Sequence, residues 1–166
     1  MATSIEELMD KRALDELISA QAIAVDTHDW DGYRKCFANK VRFDFSEHVE
    51  RVVGKGVGEA TDPDQWVANV KSVIPGFDST MHSVTNIIHE IKGDRASSRC
   101  YVTAEHFLNT DSGDRSITAS GIYMFGSVRT ASGWKLETWR LKTLFYRGNP
   151  LLYKQAADRV RAGLAK

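Results

Sequence analysis

Three side chains able to trade protons sit in sequence contexts that bury them. Asp26 follows Ala22-Ile23-Ala24-Val25 at the end of a predicted helix, where a carboxylate leaves water and needs a partner. His82 lies in Met81-His82-Ser83-Val84-Thr85-Asn86, so strand alternation puts it on one face with Val84 and Asn86. His106 alternates with Cys100, Val102, Ala104 and Leu108, an apolar set expected on the concave face of a sheet. Two inward imidazoles on neighbouring strands can face each other across a pocket. A carboxylate beside one of them holds a single tautomer and raises its basicity, which equips the set for general acid–base chemistry. Each residue also has a structural reading. An inward histidine is often only a hydrogen-bonded core residue, and Asp26 alone could cap a helix or hold an arginine. His28, His48 and His89 fall in loops or on the alternate face and read as solvated. Trp66, Trp134 and Trp139 read as core or pocket wall.

The elements that must position these groups follow from periodicity. Ser4 as cap, Glu6 and Glu7 in the first turn, and apolar residues recurring from Leu8 to Val25 predict a helix over Ile5–Thr27. Asp29 opens a short second helix carrying Tyr33, Cys36 and Phe37. Val41 to Phe45 alternates as a strand. Glycines and a proline from Gly54 to Pro63 predict a loop, and Asp64–Ile74 a third helix stopped by Pro75-Gly76. Gly54-Lys55-Gly56-Val57-Gly58 is not placed between a buried strand and a helix, so it reads as a loop over a pocket mouth and not as a phosphate cradle. Four long strands near 79–92, 96–110, 115–129 and 133–147, separated by turn residues, predict an antiparallel meander. Pro150–Ala165 reads as a last helix. Helices first and a curled sheet afterwards imply one α+β domain over residues 1–166. Such a sheet closed by helices leaves a pocket suited to an apolar ligand.

Composition excludes other classes. Lys plus Arg and Asp plus Glu each number 22 in 166 residues, so no basic footprint for nucleic acid or an anionic membrane exists. No apolar run approaches the roughly 20 residues that span a bilayer. The N-terminal stretch reads as an acidic amphipathic helix rather than a signal peptide. Cys36 and Cys100 lack metal-ligand spacing and read as reduced, buried thiols of a cytoplasmic protein. Nucleophile-elbow, zincin, P-loop and EF-hand patterns are missing.

The block Val25-Asp26-Thr27-His28-Asp29-Trp30-Asp31-Gly32-Tyr33-Arg34-Lys35, running on to Val41-Arg42-Phe43-Asp44-Phe45, resembles the N-terminal half of the scytalone dehydratases. It is also similar to the wider SnoaL-like group of the NTF2-like superfamily. His82, the Gly93-Asp94 turn and His106 fall at the matching spacing, and Gly133-Trp134-Lys135-Leu136 resembles the start of the last strand. The resemblance implies a cone-shaped barrel: a curved, mostly antiparallel sheet with N-terminal helices enclosing a pocket. It implies that Asp26 orients His82, that His82 abstracts a proton, and that His106 holds the departing or polarised oxygen. It further implies no metal, no organic cofactor and a homo-oligomer, with a trimer favoured over a dimer. Phe45, Val84, Val102, Leu108, Trp139, Leu141 and the last helix are the expected pocket wall, with Asn86 on the His82 face.

The chain departs from that pattern where the carbonyl is polarised. Two tyrosines of the scytalone dehydratases correspond to Val25 and Phe45, which donate no side-chain hydrogen bond. A serine and an asparagine correspond to Gly121 and Tyr123, and Tyr123 supplies a donor from a new direction. The expectation is therefore a cofactor-independent, dehydratase-like lyase acting on a polyketide, steroid, terpenoid or halogenated compound. The same base would serve an isomerase or polyketide cyclase. A non-catalytic partner resembling the β subunits of ring-hydroxylating dioxygenases is the remaining alternative.

Overall fold

The computed structural model describes residues 4–46, 48, 59–111 and 113–165. The predicted mouth loop at Gly54–Gly58 lies outside them. Helix α1 spans Ile5–Asp26, opened by Ser4, whose hydroxyl accepts from the Glu7 amide at 3.1 Å. It packs chiefly along one edge of the sheet, burying Leu14, Ile18, Gln21, Ala22, Ala24 and Val25. Each large apolar side chain so buried contributes about 1.5–3 kcal/mol. Helix α2 (Trp30–Lys35) is capped by Asp29, and α3 (Pro63–Lys71) by Asp62. A 3-10 turn at Ile74–Gly76 follows, and α4 (Leu151–Arg161) ends the described fold.

Strands β1 (Phe37–Asp44), β2 (Glu59–Ala60), β3 (Ser79–Lys92), β4 (Arg95–Phe107), β5 (Ser116–Thr130) and β6 (Gly133–Gly148) form one sheet in the order β2-β1-β6-β5-β4-β3. The predicted meander is β3 to β6, all antiparallel; β1 joins parallel to β6. The architecture is α+β, as expected. The sheet curls without closing, and α1 to α4 complete the enclosure. Strand β4 alternates exposed and buried residues without a break, so Cys100, Val102, Ala104 and His106 all face inward.

Strand β3 does not keep that phase. The β3–β4 register shifts between Thr85 and Ile88, and Asn86 takes a left-handed φ of 58°. One extra residue at such a bulge reverses the side-chain alternation beyond it. Asn86, expected beside His82, is exposed, while Ile87 and His89 turn inward. His89, expected in solvent, accordingly has a side chain only 5% exposed, bonded to Asp15 of α1 at 2.9 Å and to Ser98 at 2.7 Å. These bonds staple α1 to the sheet.

At the other end of the molecule, Arg159 of α4 pairs with Asp78 at 3.1 Å. Leu108 packs there with Phe77, Ile117, Leu152, Tyr153 and Ala156. It was expected in the pocket wall, but β4 ends at Phe107 and Leu108 lies under α4 instead.

Gly121 sits at a second register shift, between β5 and β6. A Cβ there would lie 2.5 Å from the Lys142 carbonyl oxygen and 2.9 Å from Leu141 Cδ1. Backbone cannot yield to so close a contact, so Gly121→Ala is expected to cost about 1–3 kcal/mol. Thermal denaturation followed by circular dichroism should show the lowered midpoint with unchanged native secondary structure.

Candidate active site

The curled sheet and the four helices surround a cavity of about 350 Å³. Its wall is mainly apolar: Val25, Phe45, Trp66, Val102, Trp139 and Leu141 face it. His82, His106 and Tyr123 line it as well, together with Tyr33, His48 and Tyr153. Val84, expected here, is partly buried against the main core but does not line the cavity. A second, more polar groove of about 760 Å³ runs past Arg42, Asp44, Met124 and Arg140. No histidine is among the described residues that line it, and its Arg140 is paired with Asp44 at 3.2 Å.

Asp26 ends α1 where that helix meets β3. Three donors from β3 converge on its carboxylate: Thr80 Oγ1 to Oδ1, the His82 backbone N–H to Oδ2, and His82 Nδ1 to Oδ1, each at 2.7 Å. The side chains of His82 and Asp26 are 11% and 17% exposed. Burial raises the Asp26 carboxyl, but the hydrogen bond from His82, the charge that ring carries when protonated, and the Thr80 and backbone donors outweigh it. The carboxyl is held below the usual range, so it is ionised at neutral pH. Because a carboxylate only accepts, Nδ1 of His82 carries the proton and Nε2 carries the lone pair. The geometry supplies an oriented, carboxylate-backed base on a cavity wall.

The ring of His106 meets that of His82 edge to face, with centroids 5.5 Å apart. Tyr153 Oη lies 3.4 Å from His106 Nδ1. Burial first, and then the cost of adding a charge beside His82 and His48 when those rings are protonated, push His106 down to about 3. His106 is thus a neutral imidazole that can donate or accept without carrying charge.

His48 was expected in solvent. It instead lines the cavity, 2.9 Å from Tyr146 Oη through Nδ1, and burial followed by the field of His82 pushes it down to about 4. Tyr123 is 4% exposed and lines the cavity. Burial lifts its pKa well above the usual value. Among the described residues no His, Cys, Asp and Glu set is grouped to hold a metal ion.

Sequence reasoning missed Thr80, Tyr33, His48 and Tyr153. For Thr80 a signal existed: it shares the strand face of His82 two residues away. The other three depend on packing between elements distant in the chain.

The SnoaL-like domain model matches residues 6–140, so the chain belongs to the SnoaL-like family. Among solved structures, protein Kfla4162 from Kribbella flavida is 26% identical, with a TM-score of 0.78 over 88% of this chain and 97% of that one. A protein from Novosphingobium aromaticivorans, provisionally named an aromatic ring hydroxylase, is 28% identical at a TM-score of 0.73, covering 93% and 99%. The hexachlorocyclohexane dehydrochlorinase LinA-type3 of Novosphingobium barchaimii is 18% identical, at a TM-score of 0.72 over 89% and 94%; that likeness extends to the fold alone. No curated protein matches the sequence.

Two neutral histidines, His106 buried and His48 half-buried, set the acid response. Their folded pKa values lie below the ordinary 6.5, so between about pH 6.5 and 4 the unfolded chain binds more protons than the folded one. Stability then falls as the pH falls, by about 1.4 kcal/mol per pH unit for each fully linked group. Urea midpoints across pH 7 to 4 should show this slope, and His106→Gln should flatten it.

Proposed function

We propose that this protein is a cofactor-independent lyase of the dehydratase kind, acting on a small apolar molecule, with His82 as general base. The observation carrying the proposal is the Asp26–His82 bond at 2.7 Å on the wall of an apolar cavity. Nε2 of His82 takes a proton from carbon beside an activating group, and a hydroxyl or other leaving group departs from the neighbouring carbon. Asp26 fixes the tautomer and stabilises the imidazolium that forms, and Thr80 holds Asp26 in place. His106 and Tyr123 supply neutral hydrogen bonds to the departing or polarised atom. Phe45, Val102, Trp139 and Leu141 shape the dry wall against which the substrate is positioned. General base catalysis contributes about 10²–10⁴-fold, and positioning in a water-poor cavity supplies the rest.

The same base drives isomerisation or cyclisation equally well, because each begins by deprotonating carbon. A non-catalytic role as a hydroxylase partner is the second reading, favoured by the 28% identical Novosphingobium aromaticivorans protein with its provisional name. A partner subunit has no need of a buried Asp–His pair, which argues for the enzyme.

Homo-oligomerisation, as a trimer ahead of a dimer, accompanies this reading. Met81, Tyr101, Phe107 and Phe145 are large apolar side chains left exposed on the strands. The free, buried Cys36 and Cys100 suit a reducing compartment such as the cytoplasm. No described helix is long and apolar enough to cross a membrane.

His82→Ala and Asp26→Asn are each expected to lower turnover by about 10²–10⁴-fold while circular dichroism stays native. Product mass distinguishes the reactions: loss of water marks a dehydratase, and unchanged mass marks an isomerase or cyclase. Turnover at the wild-type rate in both variants would exclude the mechanism. Copurification with a larger iron-containing subunit would favour the partner role.

A further inference from the structure

Among the described residues, two phenols on the cavity wall have O–H groups with no acceptor. Tyr33, on α2, is 1% exposed and lines the cavity. Its oxygen accepts from Trp66 Nε1 at 2.9 Å, and its own O–H has no acceptor among the described residues. An O–H whose oxygen already accepts a bond is polarised into a better donor. Tyr123, on β5, lines the same cavity, and its hydroxyl has no acceptor among the described residues. A donor turned into a sheltered cavity favours a ligand that brings an acceptor, since an unmade buried hydrogen bond costs about 1–3 kcal/mol. On the adjoining wall Trp139 Nε1 and Thr143 Oγ1 are buried without partners among the described residues.

We infer that Tyr33 and Tyr123 together form a two-donor site for a carbonyl oxygen, so that the substrate is a ketone or enone rather than a halogenated hydrocarbon. The inference rests on His82 being the base. His82 pairs across the sheet with Ala104, and Ala104 with Ala119; Tyr123 stands four residues further along β5, about 13 Å at the strand level. The base and the donors therefore approach the cavity from different levels, with Val25, Phe45, Val102 and Leu141 also lining it.

A carbonyl compound fits this arrangement chemically. When His82 Nε2 takes the proton, the C–H pair becomes a C=C bond and the carbonyl π pair moves onto oxygen. In an enone the same shift is relayed through the intervening C=C. The oxygen gains a negative charge at the place where two neutral donors are fixed, and preorganised donors in a dry site favour such charge strongly. A polyhalogenated alkane offers them no comparable acceptor.

The test uses 2-tetralone and its hydrocarbon counterpart tetralin as probes, with quenching of Trp66 and Trp139 fluorescence as the binding signal. Wild type is expected to bind the ketone about 10-fold more tightly than the hydrocarbon. Tyr33→Phe and Tyr123→Phe should each reduce that preference, and the double variant should abolish it, with tetralin affinity unchanged. Tyr123→Phe leaves no buried group orphaned, so it remains informative if Tyr33→Phe folds poorly. Equal binding of the two probes by wild type, or a ketone preference that survives in the double variant, overturns the inference.

Exchange of the α-hydrogens of 2-tetralone with D₂O, followed by proton NMR, reads the base separately. Exchange lost in His82→Ala alongside an unaltered ketone preference in the phenylalanine variants sinks the phenol site and keeps the base. Ketone preference lost in those variants, without His82-dependent exchange, supports the phenol site while the base reading fails.

Discussion

A carboxylate buried at the end of a helix is the constraint around which this fold is arranged. Asp26 leaves bulk water at the last turn of α1, and its charge must be met by donors there and then. All three come from β3: the Thr80 hydroxyl, the His82 amide and the His82 ring. The contact therefore does two things. It docks the helix onto the sheet edge, with His89 and Asp15 making a second attachment along the same helix. It also fixes which nitrogen of His82 is basic. Stability and chemistry rest on the same three hydrogen bonds.

Once that charge is placed, the surrounding electrostatics follow. Three histidines share one wall region, and two of them cannot carry charge together in so sheltered a space. His48 and His106 are accordingly driven neutral by burial and by the field of His82. The site thus has one histidine backed by a carboxylate and two that serve only as neutral hydrogen-bonding groups. The phenols complete the set, with burial holding Tyr123 protonated. A cavity of this kind presents many donors and little net charge, as an apolar substrate carrying one oxygen would require.

Much of the architecture was legible in the residue pattern because its signals are local. Turn residues at Gly93-Asp94 and Ser132-Gly133 bound the long strands, and Ser4, Asp29 and the proline before α4 mark helix starts. The position of Asp26 after an apolar helical stretch, and the unbroken alternation around His106, likewise pointed inward correctly. Alternation failed at Asn86, where a bulge shifts phase. No residue type there announces it, since a left-handed asparagine looks the same in sequence as any other. Leu108 was misplaced for a related reason: alternation says which way a residue points while the strand lasts, and β4 stops one residue earlier.

The sequence by itself determined the α+β class, the boundaries of the four long strands β3 to β6 to within a few residues, and the candidacy of Asp26, His82 and His106, since these follow from periodicity and from the cost of burying charge. Only the tertiary structure decided that Thr80 completes the carboxylate's partners, that His48 and His89 are sheltered, and that Tyr33 and Tyr123 open onto one cavity. Those facts depend on where α1, α2, the β3 bulge and α4 come to rest against one another. Packing between segments 30 to 100 residues apart leaves no period in the chain from which it could be read.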